Sequence, residues 1–247
     1  MNATRRLVLI HGFTERPSMW DDLIVGLHDE TLSVSTPSIP GHGNLRAMPS
    51  ERTAKAYCAA IIKQIPDDSL PWIVVGHSMG GYLASSLVTM MPDRIAALGF
   101  FHSKAGADNA QKKEDRRRAI SAAAQNKDLY LDTMLRNTLA EKNLDLHRNE
   151  LQSMIESAKT DITPECIAAS HEVMIERPDN IDFLATARFP IYYFLGSDDK
   201  SIPYEQITSE IEAIPNAIVQ LERHVGHMGH IECREAAADW LFKVCSN

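Results

Sequence analysis

The sequence predicts an α/β protein: a largely parallel sheet with helices on both faces, interrupted by an α-helical block. Three observations predict it. Short, fully apolar runs alternate with amphipathic stretches over roughly the first hundred residues. That alternation stops near Lys104 and returns near Ala187. A glycine-bounded turn, Gly76-His77-Ser78-Met79-Gly80, joins an apolar run directly to a helical one. Apolar runs without polar alternation suit strands covered on both faces, because neither side meets water.

The elements follow in order. Leu7-Val8-Leu9-Ile10 is a buried strand. Residues 17–28 read as a helix ending at His28, with Trp20, Leu23, Ile24 and Leu27 on one face and Pro17 near its start. Residues 31–36 are β-prone, and Pro40-Gly41-His42-Gly43 is a turn. Residues 51–65 form a second helix, with Ala54, Cys58, Ile61, Ile62 and Ile65 aligned. Trp72-Ile73-Val74-Val75 is the strand before the serine turn, and residues 79–91 are the helix after it. Residues 95–101 form the fourth strand. The run Lys112-Lys113-Glu114-Asp115-Arg116-Arg117-Arg118 reads as a solvated helix face rather than the alternative, an anion site, because acids are interleaved with the bases. Helical patterns follow at residues 129–139, 144–158 and 164–175. The α/β texture resumes with a strand at 191–195, a helix at 203–214, a strand at 217–221 and a closing helix at 231–244. The domain reading is a core of residues 1–103 and 187–247, with residues 104–186 inserted as a cap. An insertion at the end of a strand lies over the crevice where open α/β sheets bind ligands.

Composition narrows the classes of function. A net charge of −8 argues against nucleic acid or an anionic membrane as partner, since both select clustered positive charge. No run approaches the roughly 18 apolar residues of a membrane-spanning helix. The first apolar stretch is too short for a secretory signal. Cys58, Cys166, Cys233 and Cys245 form no zinc or C-x-x-C spacing and read as reduced thiols. The expectation is a cytoplasmic protein.

The serine turn carries the chemistry. A lone G-x-S-x-G arises by chance in roughly one chain in twenty of this length. Between a buried strand and a helix it is more specific, because the glycines let the chain turn tightly and hold the serine out at the sheet edge. A hydroxyl is a poor nucleophile without a base, an orienting acid and oxyanion donors. Asp198 and Asp199 follow the strand at 191–195 and are the acid candidates. His227 follows the last strand and is the base candidate. All lie at the carboxyl ends of parallel strands, the same sheet edge as Ser78. His224-x-x-His227-x-x-His230 also has metal-like spacing, but no acid or cysteine completes it. His77 reads as a packing residue of the turn.

With these motifs in view, the chain resembles the α/β-hydrolase-fold superfamily, in its serine-nucleophile, esterase-like branch. His11-Gly12-Phe13 resembles the oxyanion loop. Pro40-Gly41-His42-Gly43 resembles the turn after the second core strand, and Gly76-His77-Ser78-Met79-Gly80-Gly81 the nucleophile elbow. Gly196-x-x-Asp199 with Pro203 resembles the acid loop. Gly226-His227 followed by Glu232 resembles the histidine loop. Ser38 and Arg234 stand where the family often has Asp and Pro. The resemblance implies a six-stranded sheet and a Ser78–Asp199–His227 triad, with the Phe13 and Met79 N–H groups as oxyanion hole. It also implies hydrolysis of a small or medium ester or thioester through an acyl-enzyme, with no metal or organic cofactor. The same machinery also serves carbon–carbon hydrolases, lyases, perhydrolases and triad-retaining receptors. His102, Met134 and Met154 are the candidate substrate contacts. The expected partner is a small ester-like molecule, and a homodimer is compatible with the apolar stripes of the helical block.

Overall fold

The computed structural model describes residues 3–27 and 29–246. His28, the expected end of the first helix, lies outside the described residues. Six strands pair in parallel in the order β2-β1-β3-β4-β5-β6: β1 Arg5–Ile10, β2 Leu32–Ser35, β3 Trp72–His77, β4 Ile95–Phe101, β5 Ile191–Gly196 and β6 Ala217–Glu222. The strand order reverses between β2–β1 and β3–β4. An open α/β sheet gathers its ligand-binding loops at such a switch point. All-parallel register sends the carboxyl ends of β1, β3, β4, β5 and β6 to one edge.

Alternation along the central strands feeds two cores. Val8, Ile10, Val74, Leu98, Phe100, Ile191 and Tyr193 face one layer. Leu7, Leu9, Ile73, Val75, Phe101, Tyr192 and Phe194 face the other. On the first side lie α2 (Ala54–Ile62) and α3 (Met79–Met90), which contributes Leu83 and Leu87. On the second lie α1 (Asp21–Ile24), behind a 3-10 turn at Pro17–Trp20, and the closing α11 (Arg234–Ser246), which contributes Trp240 and Leu241. The expected helix over 17–28 is therefore two short pieces. Val25 and Gly26 follow α1, and both are weak helix formers.

Between β4 and β5 the chain is helical: α4 Ala110–Gln125, α5 Lys127–Arg136, α6 Arg148–Asp161, α7 Pro164–Glu176 and the short α8 Ile181–Ala185. Local chemistry starts three of these helices. Asn109, Asn126 and Thr163 accept from the backbone N–H groups of Lys112, Leu129 and Cys166. The block has its own apolar core of Leu131, Leu135, Leu151, Ile155 and Ile167, which also takes in Met228 of the His227 loop. The basic run is only partly solvated. Arg116 turns inward, buried, and pairs with Asp108. The closing segment splits into α10 (Gly229–Glu232) and α11, and the segment after β5 into a 3-10 turn (Tyr204–Gln206) and α9 (Thr208–Ala213). The four cysteines are free thiols. No helix among the described residues is long and apolar enough to cross a membrane.

Candidate active site

β3 runs into α3 through Ser78, whose φ of 49° and ψ of −117° lie in a region that non-glycine residues rarely occupy. Such strain costs of order 1–3 kcal/mol and persists only when the surroundings enforce it. Two glycines allow it. A Cβ on Gly76 would sit 2.3 Å from the Gly80 carbonyl, and a Cβ on Gly80 2.3 Å from the backbone of Ile10 and His11. The Ser78 N–H donates to Phe101 O at 3.1 Å, and Ser103 Oγ donates to Ser78 O at 2.7 Å, pinning the turn from both sides.

The hydroxyl so displayed meets the residues expected of it. His227 Nε2 lies 2.8 Å from Ser78 Oγ, and His227 Nδ1 lies 2.7 Å from Asp199 Oδ2. Asp199 is buried and fully engaged: its Oδ1 accepts the N–H groups of Ser201 at 2.8 Å and Ile202 at 2.9 Å. Burial alone would raise this carboxyl, but His227 and His102 beside it hold it well below the usual carboxylate range. Asp198, the rival acid, instead accepts from Ser197 Oγ at 2.7 Å. Among the described residues, neither the Phe13 nor the Met79 N–H meets a protein acceptor. Met79 opens α3, where N–H groups have no intrahelical partner.

A second buried chain lies beside the first. Glu15 Oε2 accepts the Gly12 N–H at 2.6 Å and meets His77 Nδ1 at 2.7 Å, while His77 Nε2 lies 3.0 Å from the carbonyl of His227. Both partners of His77 are acceptors, so both ring nitrogens donate and the ring is an imidazolium. Burial opposes that charge, but Glu15 outweighs it and raises the His77 pKa; Glu15 itself is held at about 2 against its own burial by His77. One ion pair thus ties the loop of Phe13, the turn of Ser78 and the loop of His227. Glu15 and His77 were not legible as a pair: they stand 62 residues apart.

Among the described residues, two groups bring three ligand-type side chains together, Glu15 with His77 and His230, and His102 with Asp199 and His227. In both, the central imidazole has its two nitrogens engaged in hydrogen bonds, which leaves no free lone pair for a metal.

The cavity at Ser78 measures about 180 Å³ and is lined by residues of the helical block, Tyr130, Met134, His171 and Met174 among them. Met134 is where the sequence suggested. His102 and Met154 are not. His102 is fully buried, with Nδ1 3.2 Å from Asp199 Oδ2, and lines no part of this cavity. It follows β4 directly, so it lies under Asp199 rather than over Ser78. Met154 lines a separate groove of about 580 Å³ that lacks the serine. Its stripe on α6 turns toward the loop of Thr14 and Arg16. Lys112, Arg116, Tyr130 and His171 line the Ser78 cavity; Tyr130 and His171 were not singled out beforehand, and Lys112 and Arg116 belong to the run read as a solvated face.

A strained serine on a strand–helix turn, at the switch point of a parallel sheet and in line with a histidine and a carboxylate, defines an α/β enzyme of the hydrolase class. The chain belongs to the alpha/beta hydrolase family, whose model matches residues 7–240. It is similar to a pimeloyl-[acyl-carrier protein] methyl ester esterase of Aromatoleum aromaticum, at 37% identity over 92 residues, 37% of this chain and 34% of the relative. The chain thus matches about a third of that relative's length. Over nearly all of both chains (96% and 92%) it is 24% identical to a 2-succinyl-6-hydroxy-2,4-cyclohexadiene-1-carboxylate synthase of Salmonella arizonae. Among solved structures it is similar to a malate-bound thermophilic esterase from Thermogutta terrifontis, with a TM-score of 0.85, 25% identity, and 99% and 92% of the two chains covered.

Proposed function

We propose that the protein is a serine hydrolase that cleaves a carboxylic ester or thioester through an acyl-enzyme. The observation that carries this is the unbroken line Ser78 Oγ, His227 Nε2, His227 Nδ1, Asp199 Oδ2, with 2.8 and 2.7 Å at its two junctions. Ser78 Oγ attacks the acyl carbon as its proton passes to His227 Nε2. The negative charge that develops on the carbonyl oxygen is received by the N–H groups of Met79 and Phe13, each worth about 3 kcal/mol in comparable sites. The tetrahedral species collapses, and the leaving alcohol or thiol takes the proton from His227. Water, deprotonated by His227, then attacks the acyl-enzyme and releases the acid, and Ser78 recovers its proton. Asp199 fixes the tautomer of His227 and stabilises its cation. Residues 104–186 act as the cap over the site. A cavity of about 180 Å³, the share of roughly six waters, favours a small group on the acyl or the alcohol side.

A second reading retains the residues and changes the reaction. The relative matched over nearly its whole length is a synthase, which favours a reaction other than ester hydrolysis, such as lyase chemistry, on the same residues. A panel of short p-nitrophenyl esters with Ser78→Ala as control separates them. The hydrolase reading expects turnover, a fall of at least about a thousandfold in kcat for Ser78→Ala, and an acyl adduct on Ser78 by intact mass after rapid quenching. Turnover that survives Ser78→Ala rejects it; no turnover and no adduct across the panel favours the second reading.

A further inference from the structure

The cavity at Ser78 is unusually cationic for an acidic chain. Lys112 and Arg116 line it, and an adjoining recess of about 30 Å³ shares Tyr82, Lys112 and Ser201 and adds Lys104. The one carboxylate lining this pair of spaces, Asp108, is already shared between Arg116 and Arg177. Among the described residues, the Lys112 ammonium has no ion pair and no hydrogen-bond acceptor. It also sits in the first turn of α4, where the helix dipole disfavours a cation. Arg116 Nη1 finds only the thioether of Met174, at 3.0 Å, a weak acceptor. His171, more than nine-tenths buried, accepts or donates one bond with Tyr130 Oη at 2.7 Å, while its Nδ1 has no partner. Buried polar atoms are nearly always satisfied, and the orphaned His171 Nδ1, beside a half-buried unpaired ammonium and a guanidinium nitrogen met only by a thioether, calls for a ligand that supplies acceptors.

We propose that Lys112, with Arg116 and His171, forms a subsite for a carboxylate carried by the substrate. The preferred substrate is then an ester bearing a free carboxylate, with one end at Ser78 and the anion toward α4. This rests on the hydrolase reading above and adds a charge to it. Burial, with Arg116 nearby, already pushes the Lys112 ammonium below the usual lysine range, and a carboxylate in the subsite would restore it.

The test uses matched ester pairs of similar length: monomethyl adipate against methyl hexanoate, with the anion on the acyl side, and γ-acetoxybutyrate against butyl acetate, with the anion on the alcohol side. In the wild-type protein, kcat/KM for the carboxylated member of at least one pair is expected to exceed that of its neutral partner about tenfold, the size of one charge-assisted hydrogen bond. Lys112→Met should bring that ratio near one, and Lys112→Arg should keep most of it. Lys112→Gln serves if the Met variant unfolds early in a thermal scan. Ratios at or below one for both pairs in the wild type, or a high ratio unchanged in the truncated variants, overturn the subsite while Ser78-dependent turnover leaves the hydrolase reading standing. If no ester is turned over, that reading fails, and calorimetric binding of the same probes decides the subsite: tighter binding of a carboxylated probe, lost in Lys112→Met, supports it, and equal binding overturns it.

Discussion

His77 lies between the Glu15 carboxylate and the carbonyl of His227, and no neutral imidazole satisfies both. The groups around it are His102, His227 and His230 by ring contact, with Asp199 and His11 a little further out. Only Glu15 bonds it directly as a charge. Its stabilisation has a defined window. The His77 contribution is full below about pH 6.5 and is lost as pH rises through its raised value. The Glu15 contribution is full above 4.5 and is lost as pH falls toward about 2. Between these limits the pair holds three loops in register. His77→Gln can still donate to one partner but not to both. It is expected to lower kcat by about ten- to a hundredfold with KM little changed, because a misplacement of about 1 Å at the base is felt in the transition state first. A burst experiment on a short ester reads this directly. Loss confined to KM would mean that the pair shapes the cavity rather than the base.

At the scale of the element, Glu232 on α10 joins the loop of His227 to the helical block. Its carboxylate accepts the N–H of Ala140 at 2.9 Å, Asn143 Nδ2 at 2.8 Å and the N–H of Gly226 at 3.0 Å. Glu232→Gln keeps the shape but offers one acceptor oxygen in place of two. It is expected to cost about 1–3 kcal/mol in urea unfolding and to reduce activity, since the loop that aims His227 loosens. Unchanged stability would leave Glu232 as a surface residue only. This contrast also explains what the sequence revealed. Ser78 and His227 were legible because glycines mark their turns and backbone geometry is local, whereas Asp199 was separated from Asp198 by the resemblance. Glu232 was visible as part of the histidine loop, but its partners Ala140 and Asn143 were not, because they belong to a distant segment. The inward turn of Arg116 was hidden for the same reason. A run of lysines and arginines on a helix looks alike whether its face meets water or, as with α4 against α7, another helix. Met134 and Met154 both lie on apolar stripes, and only the rotation of α5 and α6 decides which of them reaches the cavity. The parallel sense of the sheet was readable from apolar runs alternating with helices and the count of six strands from the resemblance, whereas the helix over 17–28 was overestimated because Val25 and Gly26 weaken its last turns.

The whole molecule carries an acid sensitivity set by its buried histidines. Burial holds His11 at about 4 and His42, His171 and His230 at about 3, against an ordinary value of 6.5. His11 shows why: its Nε2 accepts the Ile39 N–H at 3.0 Å and its Nδ1 meets Gly12 O at 2.8 Å, an arrangement that only the neutral ring satisfies. The folded state therefore refuses protons that the unfolded chain accepts below about pH 6.5. Where the unfolded state binds more protons, stability rises with pH, so here it falls as pH drops from 6.5 toward 4. His77 loses its contribution above this window and Glu15 below 4.5, so neither offsets the effect between the two limits. His102 is lowered by burial as well, so near pH 5.5 unfolding should take up at least about three protons, each worth about 1.4 kcal/mol of stability per pH unit. Urea unfolding at half-unit steps from pH 7.5 to 5 measures that slope. His171→Gln should remove about one proton from it, because the amide retains a polar contact with Tyr130 but cannot titrate. A stability that stays level across this range would show that these rings are hydrated and protonated in the folded state, and the neutral ring assigned to His11 would be wrong.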